Sequence, residues 1–289
     1  MRSSLILAVA FAVASGARGW AQTRPLATEE ASTAAAGTLV LEAGAQAISA
    51  EPNFLTGAAR DRWDGPQLRL VYSPAGNVEL DVEWTARVGA RGDPDFGDVS
   101  DFGDVALRAK VRVAGRPGGR AAVGLRFGIV LPQTSFGNGL GPNALRTSAQ
   151  VLLSRAVGGA TVHLDAGVAI HDEPLRAHEQ RDFLAYGAAV TWPLARVTLL
   201  GEVAGLAGRG SPGAEARSEA RAGARLGRGR LRFDGAVRRG LTLAAGEWGI
   251  TAGLTWVMGT QERAARSAGF TSARRAGGLG GAAQHPPAH

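Results

Sequence analysis

Residues 78–88 alternate strictly between apolar and polar side chains. Their sequence is Val-Glu-Leu-Asp-Val-Glu-Trp-Thr-Ala-Arg-Val, so one face of an extended chain is apolar and the other carries Glu79, Asp81, Glu83 and Arg87. Successive side chains of a β-strand point to opposite faces, and the pattern therefore predicts a strand between an apolar and an aqueous phase. A soluble sandwich also contains such strands, so the interpretation depends on how often the pattern recurs.

The same alternation recurs from about residue 39 to residue 257. Most of the segments have about the 9–11 residues that a tilted membrane strand requires. About twelve strands are predicted, at residues 39–49, 67–73, 78–88, 105–113, 121–131, 147–155, 160–171, 182–192, 196–206, 216–226, 231–238 and 248–257.

Short and long connections alternate between these strands without exception. The predicted long loops are residues 50–66, 89–104, 132–146, 172–181, 207–215 and 239–247. Outer-membrane barrels have short periplasmic turns and longer external loops, and an even number of strands returns both termini to one side. The sequence therefore predicts an all-β fold, an antiparallel up-and-down transmembrane β-barrel of about 12 strands with both termini periplasmic.

Three further segments flank this barrel, which is assigned to residues 37–258. Residues 1–21 have the charged start, short apolar core and small-residue cleavage site of a signal peptide. Residues 22–36, rich in Ala, Thr and Glu, are predicted to be a periplasmic N-terminal extension with little structure. Residues 259–289 follow neither period and are predicted to be a disordered basic C-terminal tail. An export signal before a barrel predicts localisation in the bacterial cell outer membrane.

Composition narrows the choice of partners. The chain has no cysteine, so disulfides and thiolate chemistry are excluded. The net charge of +7 becomes +5 once Arg2 and Arg18 leave with the signal peptide, and Lys110 is the only lysine. Cations spread along the strand faces of an exported protein argue against nucleic acid. The predicted partners are outer-membrane lipid, a small-molecule solute and the barrel assembly machinery during insertion.

Charged side chains on the polar strand faces are the candidate functional residues. The predicted pore-lining residues are Arg69, Arg87, Arg108, Lys110, Arg112, Arg126, Arg217, Arg221, Arg225, Arg232, Arg238, Glu79, Asp81 and Glu83.

Two interpretations of these charges remain open. Cationic side chains around a lumen favour the passage of anions. Alternatively, opposite charges on neighbouring strands pair with one another and fill the barrel. Pairing is favoured where the acids of residues 78–88 face Arg108, Lys110 and Arg112 of the next strand. The surplus arginines on the last third of the barrel are better candidates for selectivity.

The loop after residue 94 contains a short tandem duplication, Asp-Phe-Gly-Asp-Val at residues 95–99 and 101–105. Clustered carboxylates are ligands that Ca²⁺ prefers, but the spacing is not that of an EF-hand and the distal Glu is missing. We therefore expect a solvated acidic loop.

His163, Asp165 and His171 fall on the polar face of one strand. The two histidines lie roughly 26 Å apart by strand rise, too far to bind one metal. No Gly-x-Ser-x-Gly motif is present, and no serine is clearly paired with either histidine by sequence. The sequence therefore predicts no catalytic, cofactor-binding or metal site, and a protein that is not an enzyme.

Several strand, turn and glycine patterns resemble a known family. They lie at residues 101–110, 123–132, 137–141, 162–167 and 247–256, the last reading Glu-Trp-Gly-Ile-Thr-Ala-Gly-Leu-Thr-Trp. In these segments the chain resembles the "MetA-pathway of phenol degradation" family of outer-membrane proteins. The resemblance implies a barrel that passes small, often aromatic, organic molecules. The basic tail and the duplicated acidic loop depart from the family pattern.

The leading hypothesis is a passive outer-membrane channel or transporter for small organic solutes, aromatic or anionic ones included. Barrels of about eight strands are filled by side chains and those of 16 or more contain an aqueous channel, so twelve strands do not decide the question. The alternative is a plugged barrel with a structural role or with the surface loops as its working part. A third hypothesis, a lipid-modifying outer-membrane enzyme, would require a Ser or His near the lipid-facing rim.

Overall fold

The computed structural model describes residues 24–116, 119–227 and 229–258, so the predicted signal peptide and C-terminal tail lie outside the described residues. Almost all of the regular structure in this part of the chain is β-strand. One 3-10 helix, Leu243–Ala245, precedes the last strand. No helix within the described ranges is long and apolar enough to cross a membrane.

Fourteen strands are formed by the alternating segments. They are β1 (Leu39–Pro52), β2 (Ala59–Ala75), β3 (Val78–Thr85), β4 (Val88–Asp93), β5 (Gly97–Asp101), β6 (Val105–Gly115), β7 (Ala121–Leu131), β8 (Arg146–Val157), β9 (Ala160–Asp172), β10 (Gln180–Leu194), β11 (Val197–Ala207), β12 (Ser218–Leu226), β13 (Leu231–Gly240) and β14 (Trp248–Met258).

The strands close into a barrel that has twelve antiparallel strands around its circumference. β1 pairs with both β2 and β14, from Leu39 opposite Tyr72 and Met258 onward, so the sheet has no free edge there. β4 continues the line of β3 along β2, and β5 continues the line of β6 along β4. β3 with β4, and β5 with β6, therefore each count as one strand of the barrel that is interrupted by a short irregular stretch. The closed sheet confirms the predicted antiparallel β-barrel of about 12 strands.

The two faces of the wall differ as the alternation predicts. Large apolar side chains point outward and stay exposed, as Phe127 (50%) and Ile250 (63%) illustrate. Charged side chains point inward and are buried, as Glu42 (1%) and Lys110 (2%) illustrate. An apolar outer surface around a polar interior suits a barrel in lipid.

The barrel has a turn end and a loop end. Leu39 and Met258, which pair at one end of the closing seam, lie at the turn end. Two predicted loops are largely wrong: β1 and β2 extend through most of residues 50–66, and β4 and β5 form a hairpin within residues 89–104. Strands that rise beyond the lipid need no apolar face, so their polar sequence resembled loops.

Residues 24–36, here called the N-terminal segment, lie inside the barrel. This corrects the prediction of a periplasmic extension with little structure. The segment has no helix or strand, yet Leu26, Glu29 and Ala31 are each less than 8% exposed. It contacts inward side chains from β2 to β14, so it crosses the lumen. Alternation cannot reveal this because the segment has none.

Candidate functional site in the barrel lumen

The backbone N–H groups of the N-terminal segment donate hydrogen bonds to side chains of the wall. Glu202 accepts from Ala27 and Thr28, each at 2.8 Å. The other donors and acceptors are Glu29 to Asp165 at 2.7 Å, Ala31 to Ser154 at 2.9 Å and Ala34 to Glu79 at 2.6 Å. An irregular backbone buried in a lumen needs such partners because its N–H groups have no strand neighbour.

The carbonyl groups of the segment accept hydrogen bonds from cations of the wall. Arg225 donates through Nε to the Arg24 carbonyl at 3.1 Å, and Arg221 donates to the Pro25 carbonyl at 2.7 Å. Lys110 donates to the Glu30 carbonyl at 3.1 Å. The barrel wall therefore binds the backbone of the segment through both acidic and basic side chains.

Glu29 is the centre of the charge arrangement. Its carboxylate lies 3.1 Å from Lys110 Nζ, 3.2 Å from an Arg126 nitrogen and 3.5 Å from an Arg69 nitrogen. Burial alone would raise the pKa of Glu29, but Lys110, Arg126 and Arg69 together hold it well below its ordinary value. Glu29 is thus an anion that ties the segment to three walls.

The acids of β3 pair with the cations of β6, as the pairing interpretation predicts. Arg108 contacts Asp81 at 3.0 Å and Glu83 at 2.8 Å. Lys110 contacts Glu79 at 2.7 Å. These charges fill the lumen beside the segment and neutralise one another.

Arg112 and Arg87 differ from the other cations of this region. Arg112 donates to Thr33 of the segment at 3.2 Å and to the Gly76 carbonyl at 2.9 Å, so it anchors the segment at the turn end. Arg87 does not line the lumen: its guanidinium lies 4.8 Å from the ring centroid of exposed Phe102.

The physical reason is a break in the alternation between β3 and β4. Thr85 pairs with Gln67 and Val88 pairs with Asp64, and all four belong to the inner face. Three steps instead of two therefore separate inward positions, as in a β-bulge, and Arg87 is turned away.

The arginines of the last third of the barrel also have partners. Arg217 contacts Glu51 at 2.7 Å, Arg238 contacts Glu219 at 2.6 Å, and Arg221 contacts Glu202 at 3.6 Å and Glu219. Arg232 shares the inward face of β13 with Arg238. Arg221 and Arg225 hold the segment, so they do not form an open cationic ring.

Two small apolar contacts complete the seat of the segment. Leu26 packs on Ala189 and Leu200, and Ala31 packs on Ala122 and Leu152. These contacts place apolar atoms between the charged groups, so the segment fits the wall in shape as well as in charge.

The loop end is narrowed by the loop of residues 132–145. Its Leu140 packs on inward-facing Val88 and Ala90. Buried Arg60 donates to the Asn138 carbonyl at 3.0 Å and pairs with Asp93, also at 3.0 Å. This loop therefore folds into the barrel mouth and is held there by the hairpin walls.

The duplicated acidic region helps to hold the same loop. Asp104 accepts from the N–H groups of Gln133 and Thr134, at 2.9 and 3.0 Å, and Asp101 accepts from the N–H of Ser135 at 2.8 Å. Within the described ranges no group of three or more His, Asp or Glu is placed to hold a metal. The region expected to be a solvated acidic loop instead forms β5 in part, and its Asp101 and Asp104 hold the loop of residues 132–145 through hydrogen bonds.

His163 has a serine partner that the sequence did not indicate. Its Nδ1 lies 2.9 Å from Ser154 Oγ, and its Nε2 lies 3.2 Å from Thr191 Oγ1. Ser154 accepts from the N–H of Ala31 and is buried under the segment. His171 lies apart, with its ring 5.1 Å from that of Phe183. Both histidines are on the inner face of the barrel.

A cavity of about 320 Å³ remains between the segment and the wall. Its lining includes Arg24 and Leu26 of the segment and Arg69, Arg108 and Arg126 of the wall. The lumen beside the segment thus still contains space for a small molecule.

Comparison with solved structures finds outer-membrane β-barrels at a low level of similarity. The chain is similar to LpxR from Salmonella typhimurium (TM-score 0.45, 11% identity, 76% of this chain and 99% of that chain), to the translocator domain of autotransporter NalP from Neisseria meningitidis (0.41, 12%, 76% and 87%) and to outer membrane phospholipase A from Escherichia coli (0.43, 10%, 75% and 92%). No family model matches the chain, and no curated protein is similar to it. The MetA-pathway resemblance therefore stays a prediction.

Proposed function

We propose that this protein is an outer-membrane channel for small organic solutes whose lumen is closed at rest by its own N-terminal segment. The observation that carries the proposal is the manner in which residues 24–36 are bound: wall side chains hold the backbone, and no strand pairing does. Such contacts are those of a bound peptide and can be exchanged for water.

The segment can leave without opening the sheet. β1 pairs along its length with β2 and β14, so the barrel stays closed whether or not the segment is present. Removing the segment would expose charged side chains that line a watery passage in barrels of this kind. The turn end then corresponds to the periplasmic side, where the segment joins β1.

The lumen would not be a simple anion filter. Most of its arginines have acidic partners, so the inner wall carries both signs around the segment. A mixed wall suits polar organic solutes that exchange hydrogen bonds with it. The solute range suggested by the family resemblance is part of this proposal.

A disulfide tether tests the proposal in planar bilayers. An ideal Cβ on Gly124 lies 3.6 Å from Cα of Ala31, and the chain has no other cysteine. The double variant A31C/G124C should conduct intermittently when reduced and fall silent when oxidised. The single variants A31C and G124C are the matched controls and should not respond to oxidant. A salt gradient across the bilayer gives the sign of selectivity.

The outcomes separate the two hypotheses left by the sequence. Conductance that persists after complete cross-linking would show that the segment does not close the lumen. A correctly folded barrel that stays silent when reduced, and also when residues 24–36 are replaced by a Gly-Ser sequence, would favour the closed structural barrel. Replacement of Arg221 and Arg225 should raise open probability, because both bind segment carbonyls.

A further inference from the structure

The cavity beside the N-terminal segment is dominated by guanidinium groups. Arg24, Arg69, Arg108, Arg126 and Arg221 all line it, with Glu42 and Glu83 as the acids of the lining. Pro25, Leu26 and Ala27 form an apolar side. Its volume of about 320 Å³ is at the small end of ligand pockets.

Three of these arginines have hydrogen-bonding capacity to spare. Within the described residues, the buried Nε atoms of Arg24, Arg126 and Arg221 have no hydrogen-bond partner. Arg24 and Arg221 still have acids 3.6 Å from Nε, but the ion pair of Arg126 is to Glu29 through another nitrogen. Buried donors without partners are costly, and a ligand with acceptor oxygens would satisfy them.

We propose that this cavity is a binding site for a small organic carboxylate. The inference rests on the proposed function and names the class of solute that the lumen takes. A carboxylate matches the planar fork of a guanidinium in a bidentate pair, and Arg126 supplies the fork. The apolar side formed by Leu26 and its neighbours can contact the organic body of the ligand, whereas inorganic phosphate has no apolar part to contact it.

Benzoate is a suitable probe because benzamide has nearly the same shape without the charge. Titration calorimetry of the refolded full barrel in detergent should detect benzoate binding. Benzamide should bind at least about 10-fold more weakly because it loses one charge-assisted pair. Inorganic phosphate should also bind at least about 10-fold more weakly because it makes no apolar contact. Equal affinity for benzamide would overturn the charge recognition. Phosphate binding as tightly as benzoate would overturn the organic part.

The variant Arg126→Lys tests the fork itself. Lysine keeps the charge beside Glu29, so the segment stays bound, but the bidentate geometry is lost and benzoate should bind at least about 10-fold more weakly. Arg239→Lys is the matched control, because Arg239 is an exposed partner of Glu247 and does not line this cavity. Unchanged binding by R126K, with folding verified by heat-dependent mobility on gels, would refute the assignment.

Binding and conduction can fail separately. The oxidised A31C/G124C barrel holds the segment in place and should still bind benzoate, because the cavity forms only when the segment is docked. A non-conducting barrel that binds benzoate would support the carboxylate site and refute the proposed channel. A conducting barrel that binds none of the probes would support the channel and refute the carboxylate site.

Discussion

Replacing Glu29 with glutamine should release the N-terminal segment. Glutamine has the same volume but no charge, so Lys110, Arg126 and Arg69 lose a shared anion in a buried site. Breaking a buried ion pair costs about 3–5 kcal/mol. Lys110 keeps Glu79 and Arg69 keeps Asp81, so we take the lower end, about 3 kcal/mol, which is roughly a 100-fold rise in the undocked population.

The undocked population can be measured by cysteine labelling. Ala31 is fully buried where the segment packs against the barrel wall, and an A31C thiol in this cysteine-free chain reacts with a membrane-impermeant maleimide only when the segment leaves. If opening and closing are fast relative to labelling, the rate is proportional to the open fraction. The E29Q/A31C protein should therefore label roughly 100-fold faster than A31C alone.

The control is Glu247→Gln at the loop end. Glu247 is a largely exposed partner of Arg239 at 3.8 Å, and exposed pairs contribute little. The E247Q/A31C protein should label at the same rate as A31C alone. If E29Q also leaves the rate unchanged, the three contacts of Glu29 do not hold the segment and the magnitude argued above is wrong.

Three further predictions concern the wall, the pH and the misassigned arginine. Val82→Arg places a charge on the outer face away from the turn and should lower the free energy of unfolding in vesicles by about 2–4 kcal/mol, whereas Leu241→Arg at the loop end should cost under about 1 kcal/mol; equal costs would argue against a lipid-facing wall. Because its three cations hold the pKa of Glu29 well below its ordinary value, the docking that Glu29 stabilises is fully present above that value and is lost as pH falls below it. Conductance should therefore stay constant above the ordinary pKa of a glutamate, about 4.3, and rise as the pH falls below it, with a smaller rise in E29Q; an equal rise in both would assign the effect to other carboxylates. Arg87→Ala should leave ion selectivity unchanged in a salt gradient, since Arg87 lies against Phe102 outside the lumen.

Much of the wall could be predicted because the period of two is a local property. β7 was predicted at its observed bounds, and the ion pairs between β3 and β6 follow from adjacent strands of opposite charge. The hairpin of β4 and β5 could not be predicted, since walls beyond the lipid need no apolar face. The prediction that Arg87 lines the pore was wrong for a related reason. One extra residue before Val88 reverses the inward and outward directions of the side chains that follow.

The sequence by itself determined a closed wall with an apolar outside and a charged inside, because each strand records its two environments in its own residues. Only the tertiary structure decided what occupies the interior. The N–H of Ala27 meets Glu202, 175 residues away, and Ala31 meets Ser154 of a distant strand. A segment held by side chains from nearly every wall leaves no period in its own sequence, and its place depends on the barrel being closed around it.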